Sequence, residues 1–193
     1  WRRDTASALR RLIAHVEASP YADRIIGYHI ASGTTEEWMQ WGSNDRLWVD
    51  YSPANLKKFR AWLEAKYLTD AGLQKAWRNR AVTLETAMIP SKKDRQSCRP
   101  GTMRDPELEQ ASIDYALYTS DLVAETIRYF CAIVKEATNR TKLAGAFYGY
   151  VLQLAGEARQ QNAGHLALRQ VWDCRDLDFL ACPTSYFFRA LGS

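Results

Sequence analysis

The feature that most constrains the fold of this chain is a set of three short apolar segments that alternate with helical sequence. These segments cover residues 24–31, 142–150 and 177–181. Short apolar runs bounded by polar residues are typical of buried β-strands, and no tight hairpin turn joins one run to the next. Strands that alternate with helices form parallel β-strand–helix–strand units. The pattern therefore predicts an α/β protein with a parallel sheet.

Helical patterns surround these strands. The predicted helical segments are residues 5–18, 70–77, 105–139 and 164–172, with another that begins at Ser52-Pro53. The serine hydroxyl can cap that helix, and proline is favoured at the first helical position. Residues 78–104 contain two prolines and a cluster of charges, which predicts irregular structure. The 193 residues are expected to form one domain.

Composition and charge argue against several classes of function. No apolar run approaches the roughly 20 residues that cross a bilayer, so no membrane partner is expected. The net charge is +4, and a solvated loop explains the basic cluster at residues 92–99 as well as an anion site does. We therefore expect no nucleic-acid partner. No GxGxxG or GxxxxGK[ST] motif is present, which argues against a nucleotide-binding fold, and no cofactor is expected.

The cysteines and histidines do not predict a metal site. None of the four cysteines forms a CxxC pair, and the three histidines are not spaced to complete a zinc site. Cys131 is expected to be a buried thiol, while a disulfide between Cys174 and Cys182 stays an open alternative. His29 is expected to be a satisfied core histidine and His165 a structural residue at a helix start. A reducing, cytoplasmic location is favoured.

Polar and aromatic side chains follow the predicted strands. In parallel α/β proteins the site lies beyond the carboxyl ends of the strands. Glu36, Glu37 and Trp38 come after the first strand, in a long loop with three tryptophans, and Tyr148 and Tyr150 end the second. Such a rim suits sugars, because their C–H faces stack on aromatic rings and their hydroxyls need oriented polar partners.

Glycoside hydrolysis needs two carboxyl groups, one to protonate the leaving oxygen and one to attack the sugar or activate water. Glu36 and Glu37 are not expected to be that pair, because adjacent side chains usually diverge. One of them can be the acid, with an aromatic neighbour such as Trp38 shielding it from water. The alternative is that both are solvated loop acids.

Five stretches of the sequence together resemble one enzyme family. They are residues 27–38 (GYHIASGTTEEW), 59–67 (FRAWLEAKY), 146–150 (AFYGY), 162–168 (NAGHLAL) and 178–186 (DFLACPTSY). These stretches resemble glycoside hydrolases of the β-galactosidase type, related to family 42, from their fourth strand to their sixth. The resemblance implies a partial (β/α)8, or TIM, barrel with about three parallel strands and flanking helices. Residues 1–193 would form a single incomplete α/β-barrel domain.

The resemblance also implies roles for individual residues. Glu37, directly before Trp38, would be the acid/base, and Glu36 is the rival because the wider clan usually has asparagine at that position. The residues implied to line the sugar site are Trp38, Tyr148, Tyr150, Ser185, Tyr186 and Arg189. For the tyrosines, packing at the rim is the alternative role.

The resemblance finally implies that the nucleophile, a glutamate after a seventh strand, is missing from this sequence. We therefore expect a protein related to hydrolases of β-linked sugars that is inactive or weakly active alone, so whether the chain is an enzyme stays open. The alternatives are a non-catalytic carbohydrate-binding remnant and a different α/β-barrel enzyme. An incomplete barrel leaves strand edges and an apolar face uncovered, which predicts a homo-oligomer, most simply a dimer.

Overall fold

The structure is a computed structural model, and it describes residues 1–43, 47–96, 104–151 and 161–182. The helices are α1 (Arg2–Glu17), α2 (Pro53–Tyr67), α3 (Asp70–Trp77), α4 (Lys92–Gln96), α5 (Pro106–Ala137) and α6 (Leu168–Trp172), with a 3-10 turn at Ala22–Arg24. The strands are β1 (Gly27–Ile30), β2 (Leu143–Phe147) and β3 (Phe179–Ala181).

The three strands form one parallel sheet in the order β1-β2-β3. Gly27 is paired with Leu143, and Gly145 is paired with Phe179. The predicted parallel α/β arrangement is therefore confirmed. Each strand is shorter than its apolar segment, because flanking residues adopt other structure: a 3-10 turn precedes β1, and a left-handed Gly149 (φ +92°) follows β2.

One face of the sheet packs against α5. Ile30, Ala144 and Ala146 point to this face and share a core cluster with Ile127 and Val134 of the helix. Alternate residues along a strand point to opposite faces. The apolar residues at this spacing therefore build the core between the sheet and α5.

The other face of the sheet carries an aromatic group formed by His29, Phe147 and Phe179. The His29 ring lies 4.3 Å from the ring of Phe147 and 5.7 Å from that of Phe179. A side chain at Gly145 would overlap the ring of Phe179, which lies across the sheet at that point. His29 and Phe179 are both exposed. The prediction that His29 is a core histidine is wrong, because it sits on the strand face opposite to α5.

Local capping signals set the ends of several helices. The hydroxyl of Ser52 accepts a hydrogen bond from the Asn55 backbone N–H at 3.2 Å, and α2 begins at the next residue, as predicted. The Asp105 carboxylate caps α5 in the same way, accepting from the Glu107 N–H at 2.8 Å. Helix α3 has the predicted bounds. Helix α6 begins four residues after the predicted start, because Gly164 and His165 before it form hydrogen bonds with the end of β2 instead.

The predicted irregular region at residues 78–104 contains one short helix, α4. Cys131, Cys174 and Cys182 are free thiols, so the alternative Cys174–Cys182 disulfide is not formed. Cys131 is buried, and burial raises the pKa of its thiol to about 12. Within the described ranges, no helix is both long and apolar enough to span a bilayer.

Candidate active site

The loop that follows β1, residues 33–39 and called the Glu37 loop below, doubles back on itself. The Trp38 N–H donates to the Ser32 carbonyl at 2.7 Å, and the Thr34 N–H donates to the Met39 carbonyl at 2.9 Å. Thr35, Glu36 and Trp38 all have positive φ angles, between 59° and 61°. Such conformations are costly for residues other than glycine, and they are concentrated at functional sites. The loop is therefore a candidate for function on its backbone geometry.

Glu37 is held within this loop by two hydroxyl groups. The Tyr150 phenol donates to its Oε1 at 2.9 Å, and the Thr35 hydroxyl donates to its Oε2 at 2.6 Å. The side chain is half-buried, whereas Glu36 is exposed. The structure thus separates the two predicted acids: Glu37 is oriented by partners from two strand ends, and Glu36 points to solvent.

Trp38 lies beneath the loop rather than on its surface. Its side chain is 6% exposed, its indole N–H donates to the Ile30 carbonyl at 3.0 Å, and its ring lies 6.3 Å from that of Phe130 on α5. The indole therefore anchors the loop in the core, and Trp38 also lines the cavity that Trp1 and Trp41 border. Its predicted contact with a sugar stays a prediction.

The two tyrosines after β2 are both buried, at 1% exposure each. Tyr148 donates to the Gly164 carbonyl at 2.9 Å and accepts from the Ala167 N–H at 3.2 Å, contacts that fit the packing alternative for Tyr148. Tyr150 is also enclosed, but its hydroxyl reaches Glu37. Tyr150 thus contacts the candidate acid instead of lining an open sugar surface. Ser185, Tyr186 and Arg189 lie outside the described residues.

His165 is fully enclosed at 1% exposure and joins the end of β2 to the segment before α6. Its Nδ1 accepts the backbone N–H groups of Gly149 and Tyr150, at 3.2 Å each. Its ring stacks on Tyr148 with centroids 4.5 Å apart. Burial lowers the pKa of the imidazole to about 4. The predicted structural role fits this environment, but the sequence did not reveal that His165 lies so close to Tyr150.

Arg95 is a buried cation on α4 that the sequence analysis missed. It is 2% exposed, its Nε donates to Asn162 at 3.2 Å, and its guanidinium lies 4.7 Å from the centre of the Tyr115 ring. The rings of Trp48 and Tyr51 also lie within 6.0 Å of it. The solvated-loop interpretation is therefore wrong for Arg95. Its aromatic neighbours are distant in sequence, so no local motif could have identified this contact.

The loop, Glu37 and its tyrosine partner all fall inside a stretch that matches a known family. Residues 33–175 match the model of glycoside hydrolase family 42, described as beta-galactosidase. This chain belongs to glycoside hydrolase family 42. Glu36, Glu37, Trp38, Tyr148, Tyr150 and His165 all lie within the matched residues. The resemblance that the sequence motifs indicated is therefore confirmed at the level of the family.

Two solved structures of β-galactosidases are similar to this chain. One is a polyextremophilic enzyme from the Antarctic haloarchaeon Halorubrum lacusprofundi, with a TM-score of 0.58 and 19% identity, over 93% of this chain and 22% of that one. The other is from the psychrophilic Marinomonas ef1, with a TM-score of 0.54 and 17% identity, over 92% and 23%. A comparison with the curated proteins found no match.

These structural similarities establish the fold. The three parallel strands and their helices correspond to part of a (β/α)8 barrel, so the predicted partial barrel is confirmed. The chain spans less than a quarter of the length of either β-galactosidase structure. In such barrels the site is built at the carboxyl ends of the strands. The Glu37 loop and Tyr150 both lie at that end of the sheet.

Proposed function

We propose that this chain supplies the acid/base side of a glycoside hydrolase site for β-linked sugars, with Glu37 as the proton donor to the leaving oxygen. The observation that carries the proposal is the pair of hydrogen bonds that orient Glu37 at the carboxyl end of β1. Membership of family 42 supports the reaction class.

A retaining glycosidase uses its acid/base twice. Glu37 would first protonate the oxygen that leaves the sugar, and would then take a proton from the water that hydrolyses the glycosyl intermediate. Tyr150 and Thr35 each donate to a different carboxylate oxygen. They would keep the carboxyl group in one orientation through both steps, which limits the conformational freedom lost in the transition state.

The second carboxylate, the nucleophile, is proposed to lie outside these 193 residues. The described residues form a three-stranded sheet, and the family resemblance implies a nucleophile after a seventh strand. The matched β-galactosidases are also more than four times as long as the portion this chain covers. The chain tested alone would then hydrolyse β-galactosides weakly or not at all, while retaining the ability to bind a sugar.

The direct test compares Glu37→Gln with Glu36→Gln in hydrolysis of an aryl β-galactoside by the protein that carries this chain. Loss of a general acid/base costs about 100- to 10,000-fold in rate, so Glu37→Gln should reduce kcat/KM by that amount. Glu36→Gln is the matched control and should retain activity, because Glu36 is exposed. Loss of activity in Glu36→Gln alone would reverse the assignment.

The second candidate function is non-catalytic sugar binding. One observation favours it: Trp1 and Trp41, exposed at 67% and 66%, line a cavity of about 400 Å³ together with Gln40 and Asp50. Exposed indole rings beside polar groups are a common sugar-binding surface. Calorimetry with galactose and hydrolysis of an aryl β-galactoside together separate the two functions. If the chain only binds sugar, Trp41→Ala weakens galactose binding, and Glu37→Gln changes neither galactose binding nor hydrolysis.

A further inference from the structure

The side chain of His165 meets both halves of the candidate site. Its Nδ1 accepts two backbone N–H groups, from Gly149 and Tyr150. A ring nitrogen that accepts hydrogen bonds carries no proton, so the proton of the neutral ring lies on Nε2. The hydrogen bonds therefore assign the tautomer of this buried histidine.

The opposite side of the ring is directed toward the Glu37 loop. The backbone carbonyls of Glu37 and Trp38 interact with the imidazole and oppose the effect of burial on its pKa. Nε2 itself is buried and has no hydrogen-bond partner among the described residues. Its proton therefore lies on the side of the Glu37 and Trp38 carbonyls without being bound by either.

Two further contacts connect the same parts of the chain. The Gln40 N–H, one residue past the loop, donates to the Ala163 carbonyl at 3.0 Å. The backbone N–H of Tyr150 donates to His165, and the phenol of the same residue donates to Glu37. The imidazole therefore lies between the loop and the end of β2, and the Tyr150–Glu37 hydrogen bond connects the same two parts of the chain.

We propose that His165 is a positioning residue, which as a neutral imidazole spaces the Glu37 loop from the end of β2 so that Tyr150 reaches the Glu37 carboxylate. The inference rests on the proposed function of Glu37, since positioning matters for catalysis only if Glu37 transfers a proton. His165 acts through Tyr150 and the loop backbone and contacts no reacting atom. A purely structural histidine would stabilise the fold without changing the environment of Glu37.

The test uses nuclear magnetic resonance of the chain with labelled histidine and glutamate. Wild type should show His165 as the neutral Nε2–H tautomer between pH 5 and pH 8. His165→Phe should shift the side-chain carboxyl resonance of Glu37 in the same direction as Tyr150→Phe does. His165→Asn should give a smaller shift, because its amide oxygen can replace Nδ1 as the acceptor while nothing replaces Nε2. Val171→Ala, a buried change on α6, is the matched control and should leave that resonance in place.

Hydrolysis of an aryl β-galactoside by the protein that carries this chain gives the second measurement. A displacement of about 1 Å can cost about 100-fold in rate, so His165→Phe should lower kcat by up to that factor with KM little changed and an altered pH profile. His165→Asn should recover part of the loss. A folded His165→Phe with the wild-type Glu37 resonance would overturn the inference, and so would an Nδ1–H or cationic His165 in wild type. If His165→Phe does not fold, the wild-type tautomer and His165→Asn decide.

The two proposals fail separately. If Glu37→Gln leaves hydrolysis unchanged, Glu37 is not the acid/base and the catalytic role of His165 is overturned with it. If Glu37→Gln abolishes hydrolysis but His165→Phe moves neither the Glu37 resonance nor the pH profile, the proposed function stands and the positioning role is overturned.

Discussion

Residues in costly backbone conformations shape the loop that presents Glu37. A left-handed residue other than glycine costs roughly 1–2 kcal/mol, and this loop contains three of them, Thr35, Glu36 and Trp38. The burial of the Trp38 ring and its hydrogen bond to Ile30 offset that cost. The buried Trp38 thus stabilises a loop conformation in which the neighbouring Glu37 reaches Tyr150 after the end of β2.

His165 gives a residue-scale prediction about pH. Its pKa is about 4 in the folded chain and 6.5 in an unfolded one, since burial disfavours the cation. Between these values the unfolded state binds a proton that the folded state does not, so the free energy of unfolding falls as pH drops from about 6.5 toward 4. The shift corresponds to roughly 3 kcal/mol, at about 1.4 kcal/mol for each pH unit.

Urea unfolding at pH 7.5 and pH 4.5 measures this contribution. The loss of stability at pH 4.5 should be clearly smaller in His165→Asn than in wild type, because asparagine does not titrate. Val171→Ala should retain the wild-type pH dependence. An equal pH dependence in wild type and His165→Asn would show that the imidazole is not buried as described.

At the scale of elements, α2 and α3 are fixed to α5 by one buried carboxylate. Asp114 of α5 accepts hydrogen bonds at 2.7 Å from Lys66 and Tyr67 of α2 and from Trp77 of α3. Its side chain is fully buried. A buried charge is tolerated only when it is paired and its hydrogen bonds are satisfied, as they are here. Burial and the adjacent Asp114 carboxylate both raise the pKa of the Tyr67 phenol.

We predict that Asp114→Ala lowers the free energy of unfolding by about 1–3 kcal/mol, since it leaves the partly exposed Lys66 and the half-buried Tyr67 and Trp77 without their acceptor. Asp114→Asn should cost less, because the amide oxygen still accepts. The control is Asp173→Ala, which removes an exposed ion pair with Arg169 and should change stability by less than about 1 kcal/mol. A similar loss in both alanine variants, measured by urea unfolding, would contradict the role given to Asp114.

The sequence predicted individual elements more accurately than their surroundings. The starts of α2 and α5 follow from a capping residue next to a proline, which is local information. The parallel order of the strands follows from the helices between them. His29 and Arg95 were misread because their burial depends on which face another element covers, and that depends on contacts distant in sequence. Glu37 was chosen over Glu36 by family resemblance alone, and only the three-dimensional contacts of Tyr150 and Thr35 distinguish the two.

At the scale of the whole molecule, the described part of the chain exposes aromatic side chains on one face of the sheet and the outer edges of its two outer strands. β1 and β3 form the two edges of the three-stranded sheet. His29 and Phe179 remain exposed on the face opposite to α5. Exposed strand edges and aromatic surface favour association with further protein.

We therefore predict that the 193-residue chain on its own self-associates, most simply as a dimer that covers this face. Phe179→Lys should shift light-scattering masses toward the monomer. Trp172→Lys changes an aromatic residue of greater exposure, 72%, on α6 and should leave the mass unaltered. A monomer that persists over a wide range of concentrations, in wild type, would contradict the prediction.

The central claim, that Glu37 is the acid/base, is tested most directly by varying the leaving group in Glu37→Gln. A leaving group that departs without protonation needs no general acid, so dinitrophenyl and simple phenyl β-galactosides respond differently to its loss. The account predicts that the first step of hydrolysis in Glu37→Gln is near the wild-type rate for dinitrophenyl β-galactoside and about 100-fold or more slower for phenyl β-galactoside. An equal loss with both substrates, or no loss with either, would contradict it.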